Sequence, residues 1–124
     1  MTPDINSLIG IPYVKGGRSL DGIDCWGLVM EVYRRMGRSV PDFDSSFMSR
    51  PDTIRRIRDG EALIANEIEE PEQWCIVSDS VKGHVGLWLN GSLLHAAERV
   101  GVVLQPWNAF RQVYFRSRFY RCLA

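Results

Sequence analysis

The stretch His84-Val85-Gly86-Leu87-Trp88-Leu89-Asn90-Gly91-Ser92-Leu93-Leu94-His95-Ala96-Ala97 decides the fold. Asn90-Gly91 between two apolar runs is the strongest short-range signal for a β-hairpin, because both residue types tolerate the positive φ that a type I′ turn demands. A two-residue turn pairs Leu89 with Ser92, so that partner numbers sum to 181. Gly86 then stands opposite His95, and His84 opposite Ala97. Side chains alternate along a strand, so His84, Gly86, Trp88, Leu93, His95 and Ala97 project from one face. His84 and His95 become diagonal neighbours about 7–8 Å apart between backbones, a gap that ring side chains bridge. They are the only histidines of the chain. Gly86 is expected to leave open space beside them.

Upstream of this ribbon lies the clearest helix. Cys25, Leu28, Val29, Val32, Tyr33 and Met36 fall at offsets 0, 3, 4, 7, 8 and 11, one continuous apolar stripe. Asp24 is its natural N-cap and Gly37 its natural stop. Cys25 opens the helix, where unpaired N–H groups and a partial positive charge favour a thiolate and predict a lowered thiol pKa. Cys75 and Cys122 read as packing residues. Three cysteines without a C-x-x-C pair argue against a disulfide framework and a structural zinc knuckle.

The remainder divides into a helical first half and a strand-rich second half, which predicts an α+β domain. Thr2-Pro3-Asp4 reads as a helix start. The glycines and Pro12 between Gly10 and Ile23 predict a loop. Asp52 to Arg58 reads as a helix closed by Gly60, and Glu61 to Pro71 is expected to be helical. Trp74 to Val77, His84 to Leu89, Ser92 to Ala97, Gly101 to Leu104 and Val113 to Tyr120 read as strands, with a helical turn at Trp107 to Phe110.

A chain of 124 residues makes one domain, residues 1–124. Its 45% hydrophobic and 24% charged residues are globular values and exclude a disordered chain. Basic and acidic residues number 15 each, so no global field draws in nucleic acid or acidic lipid. The clusters Arg55, Arg56, Arg58 and Arg111, Arg116, Arg118, Arg121 read as solvated faces. No apolar stretch approaches the roughly 20 residues of a membrane span. Met1 to Gly10 has no basic run followed by an apolar run, so no secretory leader is expected there.

A nucleophile, a base and a group that orients the base form the logic of thiol hydrolases. Cys25, His84 and His95 offer those three roles. The same residues could serve as three zinc ligands, a competing reading weakened by the absence of a local His-x-x-x-His pair. No cofactor is expected.

The strings Ile11-Pro12-Tyr13-Val14-Lys15-Gly16-Gly17, Asp24-Cys25-Trp26-Gly27-Leu28-Val29, His84-Val85-Gly86-Leu87-Trp88-Leu89 and Leu94-His95-Ala96 resemble, in order, the NlpC/P60 cysteine peptidases. The compact Asp-Cys-Trp-Gly-Leu form looks most like the phage-tail or prophage branch. The resemblance implies a papain-like α+β fold, with N-terminal helices packed on an antiparallel sheet. It implies hydrolysis of an amide in peptidoglycan stem peptides, commonly next to D-γ-glutamate. By position, Cys25 matches the nucleophile, His84 the general base and acid, and His95 the orienting residue. Tyr13 matches a tyrosine near substrate and oxyanion, and Asp24 an aspartate that helps bind a free peptide amine in cell-wall recycling members. Trp26 stands where the family often has serine, and Glu72-Gln73-Trp74-Cys75 stands in place of a Pro-Gly-Asp before the first long strand. The implied setting is a protein made in the bacterial cytoplasm, built into a phage tail with other tail proteins, and acting on the cell wall. The alternative is a structural or assembly subunit of a tail whose peptidase site is dispensable.

Overall fold

Asn90 and Gly91 adopt φ values of 51° and 81°, the pair of positive angles a type I′ turn requires. The structure, a computed structural model, describes residues 2–42 and 65–123. The turn joins β5 (His84–Leu89) to β6 (Ser92–Ala97) with the expected register, Leu89 facing Ser92, Trp88 facing Leu93 and Leu87 facing Leu94. Before it come β1 (Arg18–Ser19), β2 (Gly22–Ile23), α1 (Cys25–Arg35), β3 (Ala65–Ile68) and β4 (Ile76–Asp79); after it come β7 (Gly101–Pro106), α2 (Trp107–Val113) and β8 (Arg118–Cys122). Strands β3-β8-β4-β5-β6-β7 form one six-stranded antiparallel sheet, and β1-β2 a separate small hairpin.

Alternation along the central ribbon creates two apolar layers. Val85, Leu87, Leu94 and Ala96 face α1 and share a core with Cys25, Trp26, Leu28, Val29, Val32 and Tyr33. On the opposite face Val77 and Leu93 pack with Phe110 of α2, flanked by Trp88, Trp107 and Phe119. Both faces are thus covered, which accounts for the long apolar runs in β5 and β6.

Helix α1 begins and ends as its sequence dictates. The Asp24 carboxylate is wholly buried; Oδ1 accepts from Gly27 N at 2.8 Å and from Arg18 Nη1 at 2.5 Å, and Oδ2 accepts from Gly16 N at 3.0 Å. One side chain therefore caps the helix, closes the preceding loop and takes a guanidinium. At the other end Gly37, at φ 76°, lets its N–H reach Arg34 O while Arg38 N reaches Tyr33 O, the Schellman pattern. Trp26 is fully buried and its Nε1 donates to Pro41 O at 2.9 Å, so it fills the core and ties down the chain after the helix.

Several expectations are corrected. No helix follows Thr2-Pro3-Asp4: Asp4 Oδ1 accepts from Asn6 N at 2.9 Å, and residues 6–10 form turns. This local side-chain bond offers the backbone an alternative to a helix. The loop from Gly10 to Ile23 contains the small hairpin β1-β2. The helix expected over Glu61 to Pro71 is replaced, where described, by strand β3, which pairs Ala65 with Cys122 and Ile68 with Phe119. That partner is 50 residues or more away along the chain, and tertiary pairing overrides a local preference of this size. The helix expected at Asp52 to Arg58, with its arginines, lies outside the described residues. Val113 to Tyr120 is not one strand: α2 runs on to Val113, a turn closes with Ser117 Oγ donating to Tyr114 O at 2.7 Å, and β8 starts at Arg118. Strand β7 continues two residues past Leu104.

Strand β4 starts at Ile76 and not at Trp74, for a specific reason. Trp74 N donates to Trp88 O at 2.7 Å, and Trp88 N donates to Cys75 O at 3.0 Å. Two residues thus oppose one, a bulge with Trp74 in the left-handed region at φ 66°. Tyr33 of α1 donates its hydroxyl to Trp74 O at 2.6 Å and holds the bulge against the helix.

Replacing Asp24 separates the strands of its role. Asp24→Ala removes the cap and strands two further donors, and should lower the unfolding free energy by about 2 kcal/mol or more in urea titration. Asp24→Asn keeps one capping oxygen but loses the charge facing Arg18 and the second acceptor, which now bonds Gly16 N, so its midpoint should fall between those of the wild type and the alanine variant.

Candidate active site

The register of β5 and β6 brings the two histidines onto one face and into contact. His84 Nε2 lies 2.8 Å from His95 Nδ1, with the ring centroids 5.0 Å apart and nearly perpendicular. His95 Nε2 lies 2.8 Å from Gln105 Oε1 of β7. Beside them the expected open space at Gly86 is absent: a Cβ there would meet His95 Cβ and Leu94 O at 3.1 Å. A side chain there would make an unusually tight contact, and His95 would have to shift by a few tenths of an ångström to admit it.

Aromatic rings close in on the pair. Tyr114 stacks on His84 at 4.4 Å with a 19° interplanar angle, and Phe110 meets His95 edge-on at 4.9 Å. His84 is 8% exposed and His95 only 2%. Burial, and for His84 the neighbouring His95, holds both imidazoles below the ordinary histidine value, so both rest uncharged.

Cys25 approaches from the other side of the strand's beginning. It stands first in α1 and is only 3% exposed. Cys25, Tyr13, His84 and Tyr114 share the wall of a cavity of about 510 Å³, together with Lys15, Lys82 and Glu98. Among the described residues no hydrogen bond joins the thiol to His84; such contacts tighten when substrate is in place.

The lowered thiol pKa expected from the helix terminus is not found. Burial pushes the Cys25 thiol up to about 11, the Asp24 carboxylate adds to the rise, and the N–H groups of Val85, Trp26 and Cys25 only partly oppose it. The desolvation of a thiolate here exceeds the stabilisation that the helix end supplies. Burial thus favours the uncharged form of the thiol and of the imidazole alike. Tyr13, raised to about 12 by burial and then by Cys25, stays a phenol and keeps a proton to donate.

Asp24 adjoins this site in sequence but faces away from its chemistry. Its two oxygens hold three donors inside the protein, and it does not line the cavity. The zinc alternative meets a similar obstacle. His84 and His95 use ring nitrogens on each other, and among the described residues no group of three or more His, Cys, Asp or Glu side chains converges on a point. Of the downstream basic cluster, Arg118 pairs with Glu67 and Arg121 with Glu72. Sequence reading missed Gln105 and Tyr114. Gln105 lies just past the expected end of its strand, and Tyr114 sat in a segment read as extended.

Stability should be greatest between about pH 6.5 and 9. Below the ordinary histidine value of 6.5 the unfolded chain binds protons that buried His84 and His95 refuse, so stability falls with pH. Above the ordinary thiol value of 9.0 the unfolded chain loses protons before Cys25 does, so stability falls as pH rises towards about 11. Urea midpoints measured across pH should show both limbs, and Cys25→Ala should flatten the alkaline one.

Comparison with known proteins bears on the fold and the family. The NlpC/P60 family profile matches residues 10–122. The chain is 25% identical over 114 residues to the murein DD-endopeptidase MepS/murein LD-carboxypeptidase of Escherichia coli K12, covering 89% of this chain and 53% of the relative. It thus spans about half the length of that curated relative. Among solved structures, the NlpC/p60 domain of the peptidoglycan hydrolase SagA superposes with a TM-score of 0.61 at 22% identity, over 91% of this chain and 87% of that one. An NlpC/P60 family protein from Bacillus cereus ATCC 10987 gives 0.63 at 23% identity, over 98% of this chain and 40% of the other. A paired-histidine ribbon, a helix opened by cysteine and a family match across almost the whole sequence lead to one assignment: the chain belongs to the NlpC/P60 family.

Proposed function

We propose that this protein is a cysteine peptidase that hydrolyses an amide bond in peptidoglycan stem peptides. The observation that carries the reading is the shared cavity of Cys25 and His84, with His84 hydrogen-bonded to His95 behind it. Lys15, Lys82 and Glu98 give the wall ionic groups of both signs, which suits a peptide bearing carboxylates and amines. The relative from Escherichia coli is named a murein endopeptidase, which supports the same substrate class.

Because thiol and imidazole both rest neutral, the first step is general-base catalysis. His84 takes the Cys25 proton as the sulfur attacks the amide carbonyl, forming a tetrahedral oxyanion. The first N–H groups of α1 have no acceptor within the helix and stand at the sulfur, where the oxyanion forms. The Tyr13 hydroxyl is the second donor; losing one such donor typically costs roughly 10²–10³ in rate. The intermediate collapses, the C–N bond breaks, and the imidazolium gives its proton to the leaving amine. Water, deprotonated by His84, then attacks the thioester, releasing the acid and returning a proton to sulfur. His95 holds the His84 ring in place and, being uncharged, stabilises the imidazolium less than a carboxylate would.

Delivery on a phage tail is part of the proposal and rests on the Asp24-Cys25-Trp26-Gly27-Leu28 form of the motif.

Purified protein incubated with peptidoglycan fragments should release peptides detectable by mass spectrometry. Cys25→Ala and His84→Ala should each lower the rate by at least about 10³-fold, and Tyr13→Phe by roughly 10²-fold. Equal product from the wild type and Cys25→Ala would remove the sulfur from the mechanism.

A further inference from the structure

Gln105 lies outside every motif that marks the site. It stands on β7 opposite Leu93, while His95 stands opposite Val103. Gln105 and His95 are therefore diagonal neighbours on the same face of the sheet, within reach of a long side chain. The amide makes that contact: Oε1 lies 2.8 Å from His95 Nε2, and His95 Nδ1 lies 2.8 Å from His84 Nε2. Three side chains thus form one chain of hydrogen bonds leading to the ring that shares the cavity with Cys25.

The direction of the chain follows from one atom. An amide oxygen accepts and never donates. The His95 nitrogen facing it must carry the hydrogen. A neutral imidazole has one N–H, so His95 Nδ1 keeps its lone pair and accepts. His84 Nε2 must then donate, which leaves the lone pair of His84 on Nδ1. We propose that Gln105 is a positioning residue that sets the tautomer of both histidines and so presents His84 Nδ1 as the free base. A reversed amide, with its NH₂ towards His95, would reverse every bond and leave His84 Nδ1 protonated, unable to take a proton.

The neutrality of the acceptor matters. A carboxylate at this position would also fix the tautomer, but it would draw charge onto the imidazoles. Glutamine with its oxygen towards His95 gives the same direction and leaves both rings uncharged.

The catalytic consequence rests on the peptidase reading above, whereas the tautomers do not, so two measurements separate the two. Long-range nitrogen–proton NMR of the wild-type protein should show His84 and His95 both protonated at Nε2 and bare at Nδ1. A proton on His84 Nδ1 overturns the proposal whatever the enzyme does. With peptidoglycan stem peptides as substrate, Gln105→Leu should lower kcat about ten- to hundredfold with KM nearly unchanged, the scale on which outer partners of functional histidines act. The same variant should show mixed tautomers at His84. Gln105→Glu, which keeps an oxygen acceptor of equal length but adds charge, should restore the single tautomer and give a kcat between those of the leucine variant and the wild type. Wild-type tautomers in Gln105→Leu, or failure of Gln105→Glu to do better than leucine, would assign Gln105 to packing alone. Absence of peptidase activity with the predicted tautomers in place would reject the functional reading and leave the hydrogen-bond assignment standing.

Discussion

The register of one hairpin governs this molecule. With Asn90 and Gly91 in the turn, Leu89 must face Ser92, and every side chain of β5 and β6 is assigned to a face. A slip of β6 by one residue would send all of its side chains to the other face. His95 would enter the core beneath α1, parted from His84, and Leu94 and Ala96 would meet α2. Both faces are apolar, so hydrophobic burial alone discriminates weakly between the registers. The turn chemistry, the fit of Gly86 against His95 and the histidine hydrogen bond discriminate strongly.

The site divides its tasks between the two sides of the sheet. The helix side holds the sulfur, placed at the start of a helix that Asp24 caps. The other side holds the imidazoles, screened by Phe110 and Tyr114. They meet where β5 begins: His84 is the first residue of that strand and shares a cavity wall with Cys25. Burial on both sides then decides the charge state. The helix terminus alone would favour thiolate, yet desolvation wins and the resting pair is neutral.

What the sequence makes legible is what local chemistry specifies. The Asn-Gly turn, the apolar stripe of α1, the Asp24 cap and the Gly37 stop are each written within a dozen residues, and the structure contains all four. The convergence of His84 and His95 follows from the turn by parity. Strand β3 is not legible, because its pairing with β8 spans half the chain. The late start of β4 depends on a bulge that places a tryptophan at positive φ, which no propensity would suggest. Gln105 escapes notice because its strand runs further than its β-branched residues do. The thiol's raised pKa escapes because helix position is visible in sequence and desolvation is not.

Residues 105 to 114 are contiguous. That single decapeptide carries the glutamine behind His95, the phenylalanine beside it and the tyrosine over His84. Much of the surroundings of the imidazoles thus comes from one short segment, distinct from the cysteine helix. Relatives that vary this one segment would retune the base while leaving the sulfur's scaffold untouched.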